Sequence, residues 1–133
     1  MATYLWIAIG GALGSVGRFW LSGVMSATRL GETFPLGTLV VNVTGSFIIG
    51  FFATLTAPDG RWLVPSGFRQ FFMYGVLGGY TTFSSFSLQT LNLAQNGEWL
   101  RAGTNVVGSV VLCLIAVWLG HIAAVGLNSM KGS

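Results

Sequence analysis

GGYTTFSSF, residues 78–86, stands in the middle of a long apolar run. Glycines, threonines, serines and two phenylalanines three apart fill the place where a plain membrane anchor carries Leu and Ile. Each of Gly78 and Gly79 costs a helix about 1 kcal/mol relative to Ala, and Thr81 and Thr82 are also poor helix formers. The stretch therefore predicts a broken helix inside a segment that otherwise has the apolarity of a membrane span. A break at membrane depth releases backbone carbonyls that must find partners. A cation can satisfy them, as it does for unwound carbonyls in transporters.

The surrounding composition makes lipid the solvent. Charged residues are 7% of the chain, against roughly 25% in soluble domains. Hydrophobic residues are 53% and the mean hydropathy is +0.74. The 133 residues read as a single membrane domain, 1–133. The net charge of +3 is scattered. No basic run exists, so no nucleic-acid partner is expected. Cys113 is the only cysteine and forms no intramolecular disulfide. The N-terminal apolar run has no Lys or Arg before it and reads as a retained span, not a cleaved leader.

Turn-forming and charged residues cut the chain into four apolar stretches, at roughly 4–27, 36–57, 66–93 and 99–127. Each reaches the ~20 residues that cross a bilayer as a helix. Backbone groups in lipid must pair internally, so the spans are helical. Trp6, Trp62, Trp99 and Trp20 fall toward span ends, as interfacial aromatics do. Gly10 and Gly14, Ser46 and Gly50, and Gly75 and Gly79 are small pairs four apart, which let helix backbones approach closely. Arg61, Arg69 and Lys131 lie on one side of the membrane, Arg29 and Arg101 on the other. Arg18 lies inside the first span, toward the Arg29 side. Orientation follows a Lys/Arg bias, and so balanced a chain can insert both ways.

The acids Glu32, Asp59 and Glu98 all fall in loops, and His121 is near the end of the fourth span. No carboxylate pair, Ser/His/Asp set or His/Cys cluster is present, so catalysis has no actors. The polar groups at depth are neutral. Thr38, Asn42 and Ser46 share one helix face, as do Asn105 and Ser109. Thr81, Thr82, Ser84, Ser85 and Ser87 crowd the third span. Such groups serve either as interhelical glue or as a pathway lining, and three polar faces at similar depth favour a lining. Phe83 and Phe86 share a face and can offer electropositive ring edges. Donors and ring edges without a carboxylate suit a small anion better than a cation.

Four motifs, in order along nearly the whole chain, resemble the CrcB/Fluc family of fluoride channels: GGALGSVGR at 10–18, PLGTLVVNVTGSFIIG at 35–50, GVLGGYTTFSSFS at 75–87 and NVVGS at 105–109. The resemblance implies an all-α membrane protein of four transmembrane helices with a broken third, assembled as a dual-topology antiparallel homodimer. It implies passive fluoride export that protects the cell, with residence in the plasma (prokaryotic inner) membrane. It further implies a structural Na⁺ at the dimer centre on the carbonyls of Gly78 and Thr81. The fluoride pore matches Asn42, Phe83, Phe86 and Ser109, with Ser84 and Ser85 where many members have Ser-Thr. Arg18 and Thr38 take either a vestibule or a packing role. The rival readings are a small dual-topology multidrug or cation transporter, which needs a buried carboxylate, and a structural membrane subunit.

Overall fold

The computed structural model describes residues 1–130. Lys131, counted above among the charges, lies outside them. Among the described residues the chain is all-helical, without strands. α1 (Ala2–Ser26) leads through a short 3₁₀ turn (Leu30–Glu32) to α2 (Leu36–Leu55). Next come α3 (Ser66–Gln70), a π-helical segment (Phe71–Leu77) and α4 (Gly78–Tyr80), which follow one another without interruption. α5 (Phe83–Gln95) and α6 (Trp99–Ser129) complete the chain. α1, α2 and α6 are each long and apolar enough to cross a membrane. The pieces from α3 to α5 together make the third of four helical elements along the chain, called the third element below.

The element ends follow local chemistry. Pro35 and Pro65 cap α2 and α3 from outside, where a missing N–H removes no helical bond. α5 stops at the Asn96–Gly97 turn. Gly97 has φ 77°, and Glu98 N–H donates back to the Leu93 carbonyl at 2.8 Å. That is the glycine-terminated helix end, which only a residue without a Cβ adopts at little cost.

Two glycine-lined contacts hold the bundle. α2 lies along α6, and a Cβ added at Gly50 would overlap the Val117 carbonyl, one at Gly120 the Phe47 carbonyl. α1 lies along the π segment and α4. There a Cβ at Gly14 would overlap the Val76 carbonyl, and one at Gly10 would crowd the Phe71 carbonyl. Lipid gives helices no hydrophobic reason to associate, so this backbone-to-backbone packing is what binds them. The outward faces keep Leu13, Val16, Phe19, Val107, Leu114 and Trp118 exposed, as a lipid-facing surface requires.

The glycine pair of the third element behaves differently from its sequence reading. Gly78 and Gly79 stay helical. The extended backbone falls one step later, at Thr81 (φ −84°, ψ 158°) and Thr82 (φ −153°, ψ 120°). Gly79 is small because α1 passes against it: a Cβ there would press on the Gly11 carbonyl. β-branched threonines tolerate extended backbone better than a helix, so the interruption settles on them.

Gly14→Ala and Gly50→Ala should each lower stability by about 1–3 kcal/mol, the usual range for overpacking. Gly67→Ala, in α3 with nothing within 4 Å of the new carbon, should not lower it and can raise it by up to about 1 kcal/mol through helix propensity. Thermal loss of the monodisperse species in detergent, followed by gel filtration, measures the difference.

Candidate functional site

A cleft of about 440 Å³ opens between α2, the end of the third element, the start of α5 and α6. Asn42, Gly78, Thr81, Phe83, Phe86 and Ser109 all line it, with Gly45, Ser46, Thr82 and Cys113 among their neighbours. Residues far apart in sequence thus converge on one space. Thr38, Arg18, Ser84 and Ser85 do not line it. Thr38 is buried elsewhere on α2. Arg18 Nε donates to the Gly79 carbonyl at 3.1 Å and ties α1 to the third element. Ser84 is exposed, and Ser85 N–H is occupied by Thr82 Oγ1 at 3.2 Å.

The extended pair is held by a side chain. Thr82 N–H donates to Asn42 Oδ1 at 2.8 Å, and Asn42 Nδ2 donates to the Thr82 carbonyl at 2.9 Å. Thr82 Oγ1 caps α5 through Ser85 N–H, the usual work of a threonine before a helix. In a continuous helix those two N–H groups would go to the carbonyls four residues earlier, those of Gly78 and Thr81. Both are diverted, so both carbonyls lose their helical donors at the wall of the cleft.

Phe83 and Phe86 lie with ring centroids 5.4 Å apart and planes at 52°. Phe83 is 77% exposed, and α5 has no buried residue at all. This helix rests on α6 by a thin contact and turns its aromatic face away from the chain's own core.

A polar chain runs up the α5–α6 contact. Ser109 Oγ donates to Asn105 Oδ1 at 3.3 Å, Asn105 Nδ2 donates to Thr90 Oγ1 at 2.9 Å, and Thr90 donates to the Phe86 carbonyl at 2.7 Å. Asn105 is only 2% exposed. The acids stay at the ends: Glu32 and Asp59 are exposed, and Glu98 pairs with Arg101 at 3.1 Å. His121 Nδ1 meets Thr54 Oγ1 at 2.7 Å, away from the cleft.

Sequence reasoning places Thr82 only among the polar groups crowding the third span, although a threonine three before Ser85 carries an N-cap signal. It passes over Gln89, whose Oε1 is buried without a partner among the described residues.

The model of the CrcB-like protein family (camphor resistance, CrcB) matches residues 5–121. The chain belongs to the CrcB family. It is 76% identical over 133 residues to the fluoride-specific ion channel FluC of Opitutus terrae, covering 100% of both. It is 65% identical over 126 residues to the FluC of Rhodospirillum rubrum, covering 95% of this chain and 97% of that one. The FluC of Paramagnetospirillum magneticum is 62% identical over 128 residues, with 96% and 99% covered. Within this CrcB-family chain, the cleft brings neutral donors, paired rings and diverted carbonyls onto one surface.

Asn105→Ala should cost about 1–3 kcal/mol, because it removes the donor to Thr90 and strands the Ser109 hydroxyl in a buried place. Ser109→Ala should cost less, about 1 kcal/mol, since its bond is long. Equilibrium unfolding in mixed micelles tests the ranking.

Proposed function

We propose that this protein is a fluoride-selective channel that lets fluoride leave the cell passively across the plasma membrane and so protects against its toxicity. One observation carries the reading: the cleft joins Asn42, Ser109 and the Phe83–Phe86 pair with no carboxylate among its lining residues, in a chain of the CrcB family. Its relatives named above are fluoride-specific ion channels.

The chemistry of the cleft supports this substrate. Fluoride is small and strongly hydrated, so a pore must replace part of its water shell yet bind weakly at several sites. Amide N–H and hydroxyl groups donate without positive charge, and ring edges add weak positive potential. The 3.3 Å bond from Ser109 to Asn105 is longer than a good hydroxyl bond. Rotating the hydroxyl from Asn105 to a passing anion therefore loses little. A cation exporter would need an acid at depth, and the three acids lie at the ends. Fluoride taken up as HF dissociates inside the cell, and a selective pore lets the trapped anion follow its electrochemical gradient.

The reading extends to assembly. The exposed Phe83 and the thinly packed α5 support a second copy as the missing wall of the pathway. The near balance of charge between the two sides supports an antiparallel homodimer of chains inserted both ways. The interruption at Thr81–Thr82 then serves as the functional break of the third span. A structural Na⁺ fits there. Carbonyl oxygens are suitable ligands for a hard cation, and those of Gly78 and Thr81 have lost their helical donors to Asn42 and Thr82. Two such carbonyls from each copy would hold it. The ion would supply the partner that lipid cannot.

In liposomes, purified protein should release fluoride at rates a fluoride electrode follows, with chloride release at background. Equal chloride flux, or no flux from folded protein, overturns the reading. Phe83→Ile and Phe86→Ile keep apolar bulk and remove the ring edge. Each should slow fluoride release by about two- to thirteenfold, given about 0.5–1.5 kcal/mol per ring contact and tenfold per 1.36 kcal/mol. A packing role alone would leave the rate unchanged in both.

A further inference from the structure

We infer that Asn42 is a positioning residue: its side-chain amide stands in for a backbone peptide and keeps Thr82 N–H away from the Gly78 carbonyl. The inference rests on the proposed cation site at Gly78 and Thr81, and deepens it.

A primary amide offers a donor and an acceptor side by side, as a peptide does. The two bonds between Asn42 and Thr82, at 2.8 and 2.9 Å, close a ring in which each group both gives and receives. Antiparallel strands pair the same way. Thr82 is extended, with φ −153° and ψ 120°, so α2 pairs with it through one side chain as if through a strand. Remove that amide, and the nearest acceptor for Thr82 N–H along its own chain is the Gly78 carbonyl, one helical turn back. Closing that bond would extend α4 through the interruption and withdraw a ligand from the cation.

The support for Asn42 is rigid. Val41 beside it is fully buried, and α2 is clamped to α6 at Gly50 and Gly120. Asn42 therefore sets the backbone instead of following it. Its oxygen is already engaged, so only the second N–H of its amide is left to meet an anion. One side chain thus serves both sites: its oxygen preserves the cation's carbonyl, and its remaining hydrogen faces the cleft.

The sequence supplies a clean probe. Only two Gly–Gly peptide bonds exist, Gly10–Gly11 and Gly78–Gly79. Protein labelled with carbonyl-¹³C glycine and ¹⁵N glycine, read by solid-state NMR filtered for bonded ¹³C–¹⁵N pairs, reports those two carbonyls alone. Full-length protein is compared in bilayers, without fluoride, in sodium chloride and in N-methylglucamine chloride. In the wild type the Gly78 carbonyl should shift with Na⁺ and the Gly10 carbonyl should not. In Asn42→Ala the Gly78 carbonyl should move to the helical value of Gly10 and lose its Na⁺ response. Asn42→Asp retains an acceptor for Thr82 N–H and should keep that response. An unchanged Gly78 response in Asn42→Ala, with Gly10 intact, overturns the inference. If Asn42→Ala disperses the Gly10 signal as well, Asn42→Asp decides: a retained Gly78 response supports the inference, and its loss with Gly10 intact overturns it. A wild-type Gly78 carbonyl insensitive to Na⁺ overturns the cation site on which the inference rests. Failure of fluoride flux would overturn the channel and leave this result standing.

Discussion

A membrane cannot hydrate a peptide group, and the rest of this structure is arranged around that fact at one place. Thr81 and Thr82 leave the helix, and a backbone released in lipid has no water to pair with. Thr82 survives there because Asn42 answers both its N–H and its carbonyl. The hydroxyl of Thr82 then starts α5, which is what turns Phe83 and Phe86 toward the cleft. The lining, the diverted carbonyls and the start of α5 all descend from this local satisfaction of the backbone.

Close helix packing makes the arrangement reproducible. Asn42 reaches Thr82 only because α2 and the third element approach at Gly45, where a Cβ would collide with the Thr81 methyl. Arg18 adds a polar tie from α1 to the Gly79 carbonyl. At the far end of α2, Arg69 Nε donates to Thr56 Oγ1 and its Nη2 to the Ala53 carbonyl. A cation over the last carbonyls of a helix complements the dipole there. Small residues set distances and side-chain donors close the open backbone groups; little of this depends on apolar burial, which lipid renders nearly neutral.

Much of this was legible in the residues. Apolar length gave α1, α2 and α6, the helices long enough to cross a membrane, because that signal is local. Asn42, Phe83, Phe86 and Ser109 stood out as polar or aromatic residues at membrane depth, and the fold brings them to one cleft. The exact seat of the interruption was not legible. Glycine propensity pointed to Gly78 and Gly79, yet both are helical; Gly79 is small because α1 passes against it, a constraint visible only across helices. Arg18 left two roles open, and its bond to Gly79 is a tertiary fact no spacing encodes. The π-helical segment likewise has no simple residue signature.

That π-helical segment, Phe71–Leu77, bears on how the gene can vary. A π turn holds one residue more than an α turn closes over. Deleting a single codon within it would let the turn tighten to α, so the loss is absorbed there and the residues downstream keep the faces they present. Gly79 would stay against α1, and Thr82 opposite Asn42. The same deletion in the regular turns of α1, α2 or α6 has no such slack and would rotate everything beyond it by about 100°. Besides the 56–65 connection, the seven residues before the glycine pair are where the reading length has one residue to spare.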